Sequence, residues 1–425
     1  MLRHRWLIFG LLASLYFLGY FHRVTTSVMS VYFETSFGAT ATSLALLSSL
    51  YFYAYGLMQL PSGILTDRWG PRRTIMTFIL LAPLGILLTA TARDLNVLLL
   101  GRILMGLGLG IVYVPVVRVI SAWFLKDEFA SMSGILLAVG NIGAIMAAGP
   151  LEYFTANFGW REIYLYIGLL TLAAAILTWF MIRDRPENVG LPTPIEAFNI
   201  LHEENIPEDP YDMEEIIESI PTRRALRMVF GSGRKFWSLA IWFLLIYGAI
   251  ITYQGLWAAP FFREVLGWSN GSSALTLSFI GIGIIVGAPA SGYLSDKVIR
   301  SRKKVLVYGT FFYIVVWLVL WASSGHINDK LPYMILHFCL GFFGGWYVVG
   351  FAQMKELFPV AIIGTAVASL NLFPFVGAAI IQQISAVFIG DHSLGAYRSI
   401  WFFLLVCLVI AFISVLLSEE SAKNP

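Results

Sequence analysis

Twelve apolar runs, each about long enough to cross a bilayer as a helix, restrict the fold of this chain more than any other feature. They fall at 6–30, 43–65, 74–92, 96–122, 130–152, 162–182, 236–258, 272–294, 305–324, 332–353, 361–387 and 398–418. The 425 residues are 58% hydrophobic and 12% charged, whereas about a quarter of a soluble domain is charged. A soluble fold could not cover that much apolar surface, so lipid is the main solvent. The first run, after Arg3 and Arg5, exceeds a signal-peptide core and has no small-residue cleavage site. It reads as a first transmembrane helix of an all-α membrane protein.

The halves of the chain repeat. GILTDRWGPRR at Gly63–Arg73 returns as GYLSDKVIRSRKK at Gly292–Lys304, each with Asp in fifth place and a basic end. At an offset of 229 residues, Gly38, Ser43, Ala45, Leu46, Ser49, Ser62, Gly63, Leu65 and Asp67 recur as Gly267, Ser272, Ala274, Leu275, Ser278, Ser291, Gly292, Leu294 and Asp296. Such duplication builds secondary transporters, with the substrate site between the halves. The expected division is a six-helix bundle over 1–182, a linker over 183–235 and a second six-helix bundle over 236–425, related by a pseudo-two-fold axis.

Charge gives the orientation. Twenty of the 28 Lys and Arg fall in one set of loops and termini; five (Arg93, Arg161, Arg263, Lys330, Arg398) fall in the other. The positive-inside rule then puts both termini and both cassettes in the cytoplasm, with the chain in a plasma (bacterial inner) membrane. A net charge of +3 with clustered cations argues against nucleic-acid binding. Cys339 and Cys407 lie within spans, so no disulfide framework is expected. No nucleophile–base pairing or metal-ligand spacing stands out, which excludes the usual enzyme signatures. No cofactor or metal is implied, and a monomer in the bilayer is expected.

The linker is the only long polar stretch. It carries Glu203, Glu204, Asp209, Glu214 and Glu215 and ends in a basic amphipathic piece, Pro221–Phe230. It reads as a solvated connection with one interfacial helix; a regulatory or partner-binding loop is the other reading.

Asp67 sits where the second helix leaves the membrane, within reach of Arg68, Arg72, Arg73 and a neighbouring helix N-terminus. Contacts there that exist only while the cytoplasmic side is closed would form a conformational latch, repeated at Asp296. Gly63 permits close helix approach and Gly70 a tight turn. The cassette resembles the loop 2–3 signature of the major facilitator superfamily, Gly-x-Leu-x-Asp-Arg-x-Gly-x-Arg-Arg/Lys. The first copy matches throughout, and the second lacks the mid-loop Gly. Arg102 with Gly106 resembles the family's helix-4 arginine motif, for which a structural or gating role is expected. The resemblance implies two bundles rocking around a central cavity by alternating access. Gly149-Pro150 in the fifth run is followed by Leu-Glu-Tyr-Phe, so the helix-5 signature of the family's drug/proton antiporters is absent.

Arg23 is the sharpest residue. It follows a mostly apolar stretch, Trp6–Phe21, and lies deep in the first span. Placing a guanidinium there costs at least ~2.5 kcal/mol, so it needs a partner. No Asp or Glu falls near mid-depth in any span; Glu152 and Glu162 sit at outer ends, and Asp67, Asp296 and Glu356 at cytoplasmic ends. An unpaired cation lining a cavity suits an anionic substrate. Helix 1 of the superfamily's organic-anion and organophosphate carriers looks similar. Arg118, on helix 4, is a second candidate to clamp a carboxylate or phosphate, with snorkelling to the interface as the alternative. Both arginines are confined to the first half, since Thr252 and Tyr347 stand at the 229-residue offset. His22 and His337 could carry a coupling proton or be neutral core histidines. Tyr51, Tyr55, Gln59, Asn141, Tyr253, Gln254, Trp257, Asn371 and Gln382 are further candidates to line the cavity or tie helices together.

The expectation is secondary transport of a small organic anion, a carboxylate or phosphorylated metabolite, as a proton symporter or an exchanger. Export of hydrophobic or cationic compounds, and a transporter-like membrane sensor, are the alternatives.

Overall fold

The computed structural model describes residues 2–125, 128–202, 220–359 and 362–420. Among them, twelve helices are long and apolar enough to cross a membrane. They are α1 (His4–Phe37), α2 (Ala41–Trp69), α3 (Pro71–Ala90), α4 (Leu95–Trp123), α5 (Ser131–Phe158) and α6 (Trp160–Met181) in the first half. The second half has α7 (Arg234–Glu264), α8 (Asn270–Val298), α9 (Arg302–Ser323), α10 (Lys330–Leu357), α11 (Ile363–Phe388) and α12 (Leu394–Leu416). The apolar runs locate every one, but the helices outlast them at several ends: α1 continues to Phe37, because Glu34 and Thr35 still extend the helix past the apolar core.

Each half packs on itself, with α1 against α5 and α6, α2 against α4, α7 against α11 and α12, and α8 against α10. The halves meet along two seams, α2 with α11 and α5 with α8, while α1 lies on α7. Glycines make the α8–α10 contact close: a Cβ on Gly287 would meet the Phe342 carbonyl. The faces of α6 that carry Leu165, Leu169, Leu170 and Phe180 stay exposed, as a lipid-facing helix requires.

Helix breaks are what place the centre. α4 turns at Ile111–Val112 after Gly106, Gly108 and Gly110, and α10 turns through a 3₁₀ segment, Gly345–Tyr347. The lower segments therefore begin at Tyr113 and Val348, a separation of 235 positions. α4 and α10 also begin 235 positions apart, at Leu95 and Lys330, so the 229-residue register is six out along the whole of these helices, and Arg118 corresponds to Gln353 rather than to Tyr347.

The linker holds a short helix, Thr222–Phe230, that buries Ala225 and Val229 and exposes Arg223, Arg224 and Arg227. It packs against α11. The acidic run with Glu203, Glu204, Asp209, Glu214 and Glu215 lies outside the described residues.

The two cassettes solve one geometric problem in two ways. Gly70 has φ +83°, and a Cβ there would strike the carboxylate of Asp184. That carboxylate, just past α6, accepts the Arg72 backbone N–H at 2.6 Å and so caps α3. In the second half Glu420, just past α12, accepts from the Ser301 hydroxyl at 2.7 Å. The mid-loop glycine is missing there, and Arg300 takes the left-handed conformation with φ 53°. Such a conformation costs a non-glycine residue about 1–2 kcal/mol. Arg300→Gly should therefore raise the melting temperature of the purified protein, by about 1 kcal/mol of stability; an unchanged or lower melting temperature would show the turn to be unstrained.

Candidate functional site

Tyr16, Tyr20 and Arg23 follow one another at spacings of four and three, so α1 brings them to one face. That face meets α2, α7, α10 and α11 near the middle of the bundle. Arg23 is 3% exposed. Its Nη1 donates to the Tyr247 hydroxyl and its Nη2 to the Tyr55 hydroxyl, both at 2.9 Å. Tyr55 belongs to α2 and Tyr247 to α7, so the guanidinium joins the halves. The Tyr20 ring lies under it at 3.8 Å, with Tyr55 and Phe375 at 4.9 and 5.1 Å. Its Nε has no hydrogen-bond partner. Among the described residues no carboxylate pairs with it; its near electrostatic neighbours are tyrosines.

Two chambers adjoin the guanidinium and share Tyr20, Arg23, Tyr247 and Tyr347. One, with about 40 Å³ of free space, extends toward the side of the termini and is walled by rings, including Tyr113, Phe243 and Phe351, with Asn371 at its edge. The other, with about 30 Å³, is aliphatic, with Ile246, Ile250 and Ile284, and has two carboxamides, Asn141 and Gln254. Each has room for only a few waters in this conformation, so an organic ligand is admitted only as the walls part.

Of the sequence candidates, Arg23, Tyr55, Asn141, Gln254 and Asn371 border this space. The others are held elsewhere by their own bonds. Tyr51 donates to the Gly19 carbonyl at 2.8 Å. Gln59 donates to the carbonyls of Tyr55 and Gly110 and accepts from Asn371 at 2.6 Å, a tie between the halves. Trp257 donates to Ser385 at 2.7 Å, and Gln382 to the Ile251 carbonyl at 3.5 Å. His337 is a satisfied core histidine, between the Tyr333 carbonyl and the Tyr253 hydroxyl.

Arg118 is exposed on the lower segment of α4 and borders neither chamber. The two arginines are not brought together here: Tyr113, at the start of the lower α4 segment, lines the chamber, and Arg118 lies five positions farther along it. His22 also turns away: its ring sits edge-on to Phe21 at 5.3 Å and near Tyr164, with no hydrogen-bond partner on either nitrogen. Replacing an unpaired buried polar group by an apolar one of similar size is close to neutral. His22→Leu should keep uptake, its pH profile and the melting temperature near wild type; loss of the pH dependence would return His22 to the site.

Arg102 has the opposite situation to Arg23. Its Nε donates to the Leu47 carbonyl at 3.1 Å, Nη1 to the His22 carbonyl and the Thr25 hydroxyl at 3.1 and 3.2 Å, and Nη2 to the Thr26 hydroxyl at 2.5 Å. It staples α4 to α1 and α2.

At the side of the termini, Gly63 approaches Ala368 of α11, while Asp67, Arg68 and Arg73 are exposed. In the second cassette Arg302 bridges Asp296 at 2.7 Å and Glu356 of α10 at 2.9 Å. On the far side Arg263 reaches Ser30 across the halves at 3.3 Å, and Gln383 donates to Ser49 at 3.0 Å.

Sequence reasoning missed Tyr16, Tyr20, Tyr113, Tyr247, Tyr347, Phe243, Phe351 and Phe375. The helical spacing back from Arg23 was a usable signal for Tyr16 and Tyr20. The rest come from other helices, which no spacing within α1 can reach.

Residues 11–381 match the Major Facilitator Superfamily. The chain is 24% identical over 300 residues to the probable sulfoacetate transporter SauU of Cupriavidus necator, covering 70% of this chain and 66% of that one. It is 25% identical over 410 residues to a probable hexose phosphate transport protein of Chlamydia pneumoniae, covering 93% and 87%. Among solved structures, a bacterial homolog of the human lysosomal transporter Spinster, inward-facing and occupied, superposes with a TM-score of 0.71 at 17% identity, covering 97% and 96%. The duplicated twelve-helix bundle, its cassettes and the match along most of the sequence agree: the chain belongs to the Major Facilitator Superfamily, and it is a membrane transporter rather than an enzyme.

Proposed function

We propose that this transporter carries a small organic anion by alternating access, with Arg23 as the anion-binding group. The observation that carries this reading is a buried guanidinium at the contact of the halves, with no carboxylate partner among the described residues and an unused Nε. Its partners are neutral hydroxyls, which position the cation and leave its charge for a ligand. The names of the sulfoacetate and hexose phosphate relatives describe anionic cargo, in line with this.

Binding at the Tyr55–Arg23–Tyr247 junction engages both halves at once, so an anion there can couple to their relative motion. The far-side Arg263–Ser30 bond and the α2–α11 bonds at Gln383 and Gln59 are the contacts that must part or hold as access alternates. The cassettes, with the Asp296–Arg302–Glu356 network, act as latches on the side of the termini, and the excess of Lys and Arg there makes that side cytoplasmic. The chambers' walls hold no carboxylate or histidine. A coupling proton would therefore travel on the substrate or on a group outside them, and anion exchange needs none.

A thermal-shift panel of organic acids and phosphorylated metabolites on wild type and Arg23→Ala tests the reading. Some anions should stabilise the wild type and lose that effect on Arg23→Ala. Equal stabilisation of both proteins would refute it.

A further inference from the structure

We infer that the preferred cargo is a monoanion with an aromatic body, a carboxylate or sulfonate on a ring, rather than a sugar phosphate or a polyhydroxy acid. The inference rests on Arg23 as the anion site and adds what the walls around it select.

Charge comes first. The two chambers hold one cation, Arg23; neither Arg118 nor Arg102 borders them. A monoanion on Arg23 gives a neutral pair. A phosphate dianion leaves one negative charge without a counter-charge in a buried space, which is costly.

Hydrogen-bonding capacity comes second. At the guanidinium, Nε and the spare N–H of each Nη are free, and the hydroxyls of Tyr55 and Tyr247 accept from Arg23 while keeping their own hydrogens to donate. That set is concentrated on one spot and suits one oxyanion. Farther out, Tyr16 bonds Tyr20 at 3.2 Å, Asn371 bonds Gln59, and Asn141 bonds the Leu137 carbonyl at 2.9 Å; the other polar groups of the walls are Gln254 and the hydroxyls of Tyr113 and Tyr347. A sugar or sugar acid would bring in more hydroxyls than these few groups can meet.

Ring surface comes third. On the terminal side of Arg23 the chamber is walled by Tyr113, Phe243, Tyr347 and Phe351. Phe243 and Phe351 meet at 4.7 Å between centroids, and Tyr347 stands edge-on to both Phe243 and Tyr247 at 6.2 and 6.3 Å. A ligand ring entering here finds edge-to-face and offset partners on several sides. An oxyanion at Arg23 would direct such a ring between these walls as they part to admit it.

The test measures the affinities of benzoate, benzenesulfonate, gluconate and glucose 6-phosphate for the full-length protein by calorimetry. Wild type, Arg23→Gln, Phe351→Leu and Phe243→Leu are compared, with thermal melts confirming that each variant is folded. Benzoate or benzenesulfonate should bind at least ~10-fold more tightly than the other two, a margin of 1.36 kcal/mol. Arg23→Gln should abolish that binding, and at least one of the Phe variants should weaken it roughly 2- to 10-fold. Tighter Arg23-dependent binding of gluconate or glucose 6-phosphate would overturn the aromatic inference and leave the anion site standing. Aromatic binding unchanged in both Phe variants would also overturn it. If no anion depends on Arg23, both readings fall together.

Discussion

Arg23→Gln should abolish transport while destabilising the protein less than loss of Arg102 does. In the wild type the guanidinium is buried, with two tyrosine hydroxyls as its hydrogen-bonding partners and no counter-charge. The two hydrogen bonds lost are offset by relief of an uncompensated buried charge, whereas Arg102 has four such bonds to lose. Removing the same charge from beneath a bound anion costs about 2–5 kcal/mol, or a loss of roughly 30- to 5,000-fold in affinity at 1.36 kcal/mol per decade. Arg23→Lys should retain part of the activity, since the charge remains but the planar fork that meets Tyr55, Tyr247 and an oxyanion together is gone. Initial uptake rates normalised to membrane abundance, read beside melting temperatures, check both parts. Stability lost in proportion to transport would assign Arg23 a structural role instead.

Arg102→Leu should show the reverse pattern. Every nitrogen of this guanidinium has a protein acceptor, on α1 or α2. Hydrogen bonds from a charged donor contribute ~1.5–3 kcal/mol each, so the substitution should cost at least ~3 kcal/mol. On the scale of domains of 150–250 residues this is a fall of roughly 6–12 °C in melting temperature. The folded fraction should still bind anions, because Arg102 lies outside both chambers. A stable Arg102→Leu protein that had lost anion binding would contradict the division of labour between the two arginines.

That division also marks the limit of what was legible in the sequence. The twelve spans, the duplication and the deep Arg23 follow from hydropathy, a constant offset and the cost of charge in lipid, all of which are one-dimensional signals. The partition of polar residues between cavity and scaffold is not. Tyr51 and Tyr55 are one turn apart on α2, yet one bonds the Gly19 carbonyl and the other Arg23. The two share a face of α2, and which of them meets Arg23 depends on the height at which α2 packs against α1, for which an apolar helix carries no signal. Arg118 differs from Arg23 in depth: it lies five positions past Tyr113, on the exposed lower segment of α4, and hydropathy does not report where that helix breaks. The aromatic walls stayed hidden because Tyr and Phe read as ordinary membrane residues until helices from both halves are brought together.

The most direct test of the central claim is a structure of the protein with the most stabilising anion of the panel bound. The anion's oxygens should lie within about 2.7–2.9 Å of Arg23 nitrogens, with the Tyr55 and Tyr247 hydroxyls beside them. An anion bound elsewhere, with Arg23 still held only by its two tyrosines, would contradict the account.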